Sequence, residues 1–509
     1  MNRGSATLRL DGSSLTLETL VRAARAPDAR VALDAGALER LGSSRRAVDA
    51  ALARGETIYG INTGFGKLAN VRIGDADLTD LQRNLIRSHA AGVGDPLPAD
   101  VVRAIMVLRA NVLLRPTSGV RPELVEALVA LLNAGLTPLV PSQGSVGASG
   151  DLAPLSHMAL ALIGEGEVLT FRGPVPAGKA LAGAGLAPIT LAPKEGLAFI
   201  NGTQAQTAIL SLVVHDAGVL WRSALGAAAM TLDALRGTPT PLDSRIHEAR
   251  PHPGQQRAAA LMRRLLQGSA IRESHREDDA RVQDAYSLRC APQVMGAVAD
   301  AIAFAGQVAL TELNASTDNP LVFGDEVLSG GNFHGQPVAQ ALDVLAIALT
   351  TLQAIAERRI ERLVNPDLSQ GLPAFLTARP GLSSGFMMVQ ITAAALVAES
   401  RTLAYPASIG SIPTDANQED FVPMGMAAAY KVGRILANAQ RVVAAEYYCA
   451  AQGLEFLRPL RSGPAVEALH ARVRGAPVSV PALDADRPPA PDLARLADAV
   501  AGGVLDPGE

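Results

Sequence analysis

Apolar residues recur at helical spacing along most of the chain. Residues 5–10 differ: leucines alternate with Thr and Arg, which predicts a short strand. Helices are predicted at about 16–26 and 35–53. In the second, Leu38, Leu41, Val48 and Leu52 share a face and Asp34 stands as N-cap. A helix from about Asp77 to Ala91 carries Leu78, Leu81, Leu85 and the Ser88-His89 pair on one stripe, so His89 points inward. Helices at about 99–114, 122–134 and 155–163 follow, then a hairpin near 167–175 and an Ala/Gly/Pro-rich surface excursion over 176–193. The string from Lys194 to Gln204 opens one long helix to about Leu235, and 236–276 reads as polar and broken. Long helical tracts are predicted at 293–316, 334–363 and 383–404. In the middle one, Leu342, Leu345, Leu349, Leu352 and Ala356 step by three and four, a bundle seam. Helices to about 457 and over 464–474 precede a Pro-rich tail. The expected fold is mainly α: a long helical bundle over 201–509 with a smaller mixed N-terminal domain over 1–200.

Composition narrows the function classes. Apolar residues make up 48% of the 509, enough for a large core. A net charge of −4 gives no electrostatic case for nucleic acid or an anionic membrane. Asp300 interrupts the best apolar run, Val294 to Leu310, so no membrane span is expected. Arg3 and Arg9 precede no apolar core of signal type. Two cysteines, Cys290 and Cys449, make no disulfide framework, which fits a reducing cytoplasm. With four lysines, Lys67, Lys179, Lys194 and Lys431, a Schiff-base enzyme is disfavoured. The eight histidines, His89, His157 and His215 among them, are scattered without ligand spacing, so no metal is expected.

The chemistry concentrates in a few strings. In Gly144-Ser-Val-Gly-Ala-Ser-Gly-Asp-Leu-Ala-Pro-Leu-Ser-His157, three glycines in seven positions permit positive φ and close backbone approach before a helix that Asp151 can cap. No Gly-Lys-Ser/Thr follows, so it is not a P-loop, and Gly-x-Ser-x-Gly fails. Thr57-Ile-Tyr-Gly-Ile-Asn-Thr-Gly-Phe-Gly66 is an ordered loop whose Tyr59 is either a packed phenol or a base. To serve as a base near neutrality its pKa must come down from about 10. Asn201 either caps a helix or serves a site. Arg289, in Gln283-Asp-Ala-Tyr-Ser-Leu-Arg289, is either a structural ion pair or a carboxylate clamp, for which its planar fork is suited.

Together these strings resemble the aromatic amino acid ammonia-lyases, over about residues 16 to 500 and in family order. The resemblance implies that Ala148, Ser149 and Gly150 cyclise with loss of two waters into a methylidene-imidazolone (MIO), with no metal and no external cofactor. Gly150 offers an unhindered amide nitrogen, Ser149 the hydroxyl to be lost, and Ala148 no bulk. It further implies Tyr59 as acid/base, Asn201 and Tyr286 beside the electrophile, Arg289 on the substrate carboxylate, and Gln283 as its companion. Phe333, in Ser329-Gly-Gly-Asn-Phe-His334, is the expected ring neighbour of the substrate. Ser88-His89 and Glu419, in Gln418-Glu-Asp420, are similar to members acting on histidine, and a carboxylate facing an imidazole suits binding it. The implied protein is a carbon–nitrogen lyase turning L-histidine into trans-urocanate and ammonia. It would be a cytoplasmic homotetramer whose sites are shared among subunits, with Gln283 and Tyr286 reaching a neighbour's site. The chain departs from the histidine pattern at Tyr405, Gly410, Phe421 and Pro423. These departures motivate the alternative of a tyrosine or phenylalanine ammonia-lyase or an aminomutase. A helical binding protein without activity is the alternative of a different class.

Overall fold

The computed structural model describes residues 7–26, 28–277, 279 and 281–508. It is mainly α-helical, with nineteen α-helices and a few short strands among the described residues. The chain forms two compact units: residues 1–215, 305–343 and 406–430, and residues 216–304, 344–405 and 431–509.

The first unit is mixed. Its opening strand, Leu8–Leu10, pairs in parallel with Val31–Leu33; of the predicted 5–10, positions 5 and 6 lie outside the described residues. Helix Ala35–Ala53 begins where Asp34 accepts from the Ala37 amide at 3.0 Å. Helix Leu78–His89 buries Leu78, Gln82, Leu85 and Ile86, which leaves His89 half-buried at its last turn. The predicted hairpin is present, Glu167–Thr170 against Gly173–Pro176. The 176–193 stretch is not wholly an excursion: helix Ala177–Gly183 docks Ala177 and Leu181 inside.

The expected single helix from 194 to 235 is broken. Glu195–Ile200 ends at Asn201, and Gln204–Ala234 starts anew. The fully buried Arg109 guanidinium spans the break, donating to the Ala198 carbonyl on one side and to the Gln204 side chain on the other. Burial lowers its pKa to about 10. Beside it, Lys194 and Asp318 form a fully buried ion pair at 2.7 Å.

The second unit is helical. Seam residues Leu345, Leu349, Leu352 and Ala356 of helix Gln336–Val364 are completely buried. Arg359 pairs with Glu446 through two bonds, 2.5 and 2.8 Å, and Thr231 donates to the same carboxylate at 2.9 Å. Residues 236–276 hold helix Pro253–Leu265, contrary to the broken reading. The tail holds helix Ala490–Ala501, docked where Tyr448 donates to Asp492 at 2.6 Å. Three helices, Gln204–Ala234, Ala291–Leu313 and Gln336–Val364, are long and apolar enough by composition to cross a membrane. This corrects the expectation that no run reaches such a span, because one aspartate is diluted over an 18-residue window. Those windows are 67%, 33% and 72% buried within the protein.

Arg359→Met strands a carboxylate that is wholly buried. We expect it to lower stability by about 3–5 kcal/mol, read as a fall in the urea midpoint; an unchanged midpoint would mean that Glu446 finds other solvation.

Candidate active site

The Gly144–Gly150 loop is held from several sides. Gly144, Gly147 and Gly150 take positive φ, and so does Ser149 at 49°, a conformation unfavourable for a residue with a side chain. Gly150 and Gly202 lie side by side as a parallel bridge. A Cβ on Gly150 would overlap the Gly202 backbone. The Asp151 amide donates to the Gly202 carbonyl at 2.7 Å. Further along, the Met424 amide donates to the Val146 carbonyl at 2.8 Å, and that of Gly335 to the Gly147 carbonyl at 3.2 Å. Asp151 is completely buried and accepts from Ser145 Oγ at 3.0 Å and from the Gln206 amide at 2.9 Å. Burial outweighs those bonds and raises its pKa to about 6.

The helix break at 201–203 serves this loop. Asn201 Nδ2 donates to the Ser149 carbonyl at 2.8 Å, while its buried Oδ1 has no partner. Asn201 thus closes the first helix by its backbone and turns its side chain to the loop. Ser149 Oγ donates to Glu419 Oε1 at 2.6 Å, and Thr414 Oγ1 donates to Oε2 at 2.6 Å. Between Thr414 and Glu419 three consecutive residues, Asp415, Ala416 and Asn417, are left-handed.

Ser149 lies at the meeting of two adjoining cavities. One, of about 470 Å³, is lined by Ala148, Phe333, His334 and Phe421. The other, of about 670 Å³, is lined by Leu81, Leu85, Leu152, Leu197 and His89. Tyr59, Ser149, Asn201, Asp415 and Glu419 line both. His89 Nδ1 lies 2.9 Å from the Leu85 carbonyl. A carbonyl only accepts, so Nδ1 carries the proton in this bond, and the tautomer it selects has Nε2 as an acceptor. Tyr59 Oη accepts from the Gly66 amide at 3.3 Å. Its pKa is raised, not lowered as a neutral-pH base requires: burial contributes most, the Gly66 bond opposes it, and the Asp415 and Glu419 carboxylates add to it.

Of the sequence candidates, Tyr59, Ser149, Asn201 and Glu419 line both cavities, Ala148 and Phe333 the first and His89 the second, with Gly150 next to Ser149 and bridged to Gly202. Gln283, Tyr286 and Arg289 line neither. They belong to the second unit, where Gln283 is exposed and Tyr286 is 69% exposed. The Arg289 guanidinium stacks on the Tyr286 ring at 4.5 Å, and its buried Nε has no hydrogen-bond partner. Cavity residues without a role in the sequence reading include Asp415, His334 and Asn319. Asp415 accepts from the Lys67 amide at 3.0 Å, tying its loop to the Tyr59 turn. Of the departures, Phe421 lines the cavity with its carbonyl 3.1 Å from His334 Nε2, and Pro423 packs beneath Gly147. Tyr405 is 72% exposed.

The aromatic amino acid lyase family matches residues 15–475. A histidine ammonia-lyase of Anaeromyxobacter dehalogenans is 52% identical, over 98% of this chain and 99% of that protein. Among solved structures, a tyrosine aminomutase from Streptomyces globisporus superposes with a TM-score of 0.93 at 41% identity, covering 98% of each chain. A histidine ammonia-lyase from Trypanosoma cruzi gives 0.91 at 43% identity, over 98% of this chain and 94% of that one. With a family match over most of its length, and with these relatives, the chain belongs to the aromatic amino acid lyase family.

Proposed function

We propose that this protein eliminates ammonia from L-histidine to give trans-urocanate, on an MIO group made from Ala148, Ser149 and Gly150. The observation that carries it is the Gly150–Gly202 contact with the Asn201 amide on the Ser149 carbonyl. This is a cradle that only a side-chain-free third residue fits, and it suits the ring. When formed, MIO supplies an electrophile that turns the amine into a better leaving group.

The other groups follow from their chemistry. Tyr59 takes the β-proton at Oη. His89 Nε2, as an acceptor, and the Glu419 carboxylate each suit an imidazole N–H. Phe333 borders the ring. Arg289, stacked on the exposed Tyr286 ring, is assigned to the substrate carboxylate of a neighbouring subunit's site, with Gln283 and Tyr286 beside it, in a homotetramer with shared sites. Two free cysteines, Cys290 and Cys449, fit a cytoplasmic setting. A second reading, action on tyrosine or phenylalanine as lyase or aminomutase, is favoured by the Phe421 ring in the cavity.

Four outcomes follow. Mixed separately with histidine, tyrosine and phenylalanine, the protein should raise ultraviolet absorbance of a conjugated product with histidine alone; coumarate or cinnamate would select the second reading. His89→Leu should lower kcat/KM for histidine relative to tyrosine, and unchanged selectivity would make His89 structural. Because the free-enzyme phenol is held above its ordinary value, kcat/KM should climb with pH through and beyond neutrality as Tyr59 loses its proton. Asp415→Asn removes one raising charge and keeps an acceptor for the Lys67 amide, so the ascending limb should move to lower pH. A limb that stays in place would show that another group titrates.

A further inference from the structure

Ser149 enters the proposed ring formation with an intact hydroxyl, and that hydroxyl must leave. We propose that Glu419 is the acid that protonates the departing Ser149 Oγ, so that the residue facing the substrate in the finished enzyme first matures it. This inference rests on the MIO reading above.

The geometry is direct. Ser149 Oγ donates to Glu419 Oε1 at 2.6 Å, so a proton placed on that carboxyl oxygen lies against the hydroxyl that must leave. The carboxyl is fixed at its other oxygen by Thr414 Oγ1, and the Thr414 amide donates to the Glu419 carbonyl at 2.9 Å. The intervening left-handed run at 47°, 50° and 66° persists because these bonds and the Asp415–Lys67 contact hold it. Asn201 is the donor on the Ser149 carbonyl. It is placed to stabilise the negative charge that develops there when the Cα proton departs.

The step balances without oxidant or reductant. Gly150 N bonds to the Ala148 carbonyl carbon, and the first water carries the Ala148 oxygen with the hydrogens of Gly150 N and Ser149 N. The Ser149 Cα hydrogen, acidified by the imine and carbonyl on either side, goes to solvent. The Cα=Cβ bond forms as Cβ–Oγ breaks. Glu419, having taken up a proton from solvent, gives it to Oγ, the second water leaves, and the residue is left a carboxylate. Hydroxide is a poor leaving group and water a good one, so an acid at this oxygen is the missing part.

The test follows the mass of the tryptic peptide carrying residues 144–157, from full-length protein taken at intervals after a short expression pulse. Wild type should lose two waters. Glu419→Gln should lose them on the order of 10²-fold more slowly, as for a lost general acid. Ser149→Cys supplies a control for folding. The group that leaves from cysteine is hydrosulfide, a far weaker base than hydroxide, and it departs without an acid. Ser149→Cys should therefore form the ring, losing one water and one hydrogen sulfide, at the same rate with Glu419 or with Gln there. Wild-type speed in Glu419→Gln would overturn the proposal. So would an equal lag of the Cys protein in the Gln background, since Glu419 would then shape the loop and not protonate the oxygen. Wild type that never loses water would overturn the MIO reading itself and this proposal with it, an outcome read on wild type alone.

Discussion

Two glycines, Gly150 and Gly202, touch where no Cβ has room, and much of the site depends on that contact. It requires a helix to stop at Asn201 and restart at Gln204. It requires a buried cation, Arg109, to satisfy the groups exposed by the stop. It requires the residue before Gly150 to take a positive φ that serine does not favour. The proposed five-membered ring joins the Gly150 amide nitrogen to the Ala148 carbonyl carbon, and the strain of the positive φ at Ser149 is held in place by the surrounding bonds of Val146, Gly147 and Asp151.

The second constraint is electrostatic. Asp151 is buried under the loop, and Asp415 and Glu419 lie beside Tyr59 at the cavity wall. Clustered carboxylates oppose ionisation of the phenol. They also favour whatever cation enters. An amino acid brings an ammonium, and an imidazole can bring a second charge or an N–H, so the wall that suppresses Tyr59 in the free protein suits this substrate class. Binding then offsets part of the repulsion that keeps the phenol protonated.

Much of this was legible in the sequence, and the failures have physical causes. The helix Ala35–Ala53 and its Asp34 cap were readable because capping and periodicity are local. The seam at Leu345, Leu349 and Leu352 was readable for the same reason. The break at Asn201 was not: Gly202 alone does not stop a helix, and its stop depends on Arg109, about ninety residues away in the chain. Helix Pro253–Leu265 was hidden by a polar face, and Ala490–Ala501 by flanking prolines that in fact start it. The Ala148–Gly150 loop, Tyr59 and Glu419 were found as strings. Asp415, four residues before Glu419, carries no such local signal, because its role lies in the Lys67 amide it meets at the cavity wall. The raised phenol was equally invisible, since it follows first from burial in the folded chain, with two carboxylates of a distant loop adding to it.

Glu419 ties the two constraints together. Before the ring exists, its Oε1 is occupied by Ser149 Oγ and its Oε2 by Thr414. In the proposed sequence the departure of Oγ removes one of those partners and leaves the other. A carboxylate oxygen in a partly buried wall is costly without a donor. Of the two cavities it lines, one also carries His89, where an imidazole N–H would replace the lost hydroxyl. Maturation thus creates the acceptor that the substrate needs, and an unmatured chain presents that oxygen already satisfied. The same carboxylate can therefore serve both stages because the first stage frees it for the second.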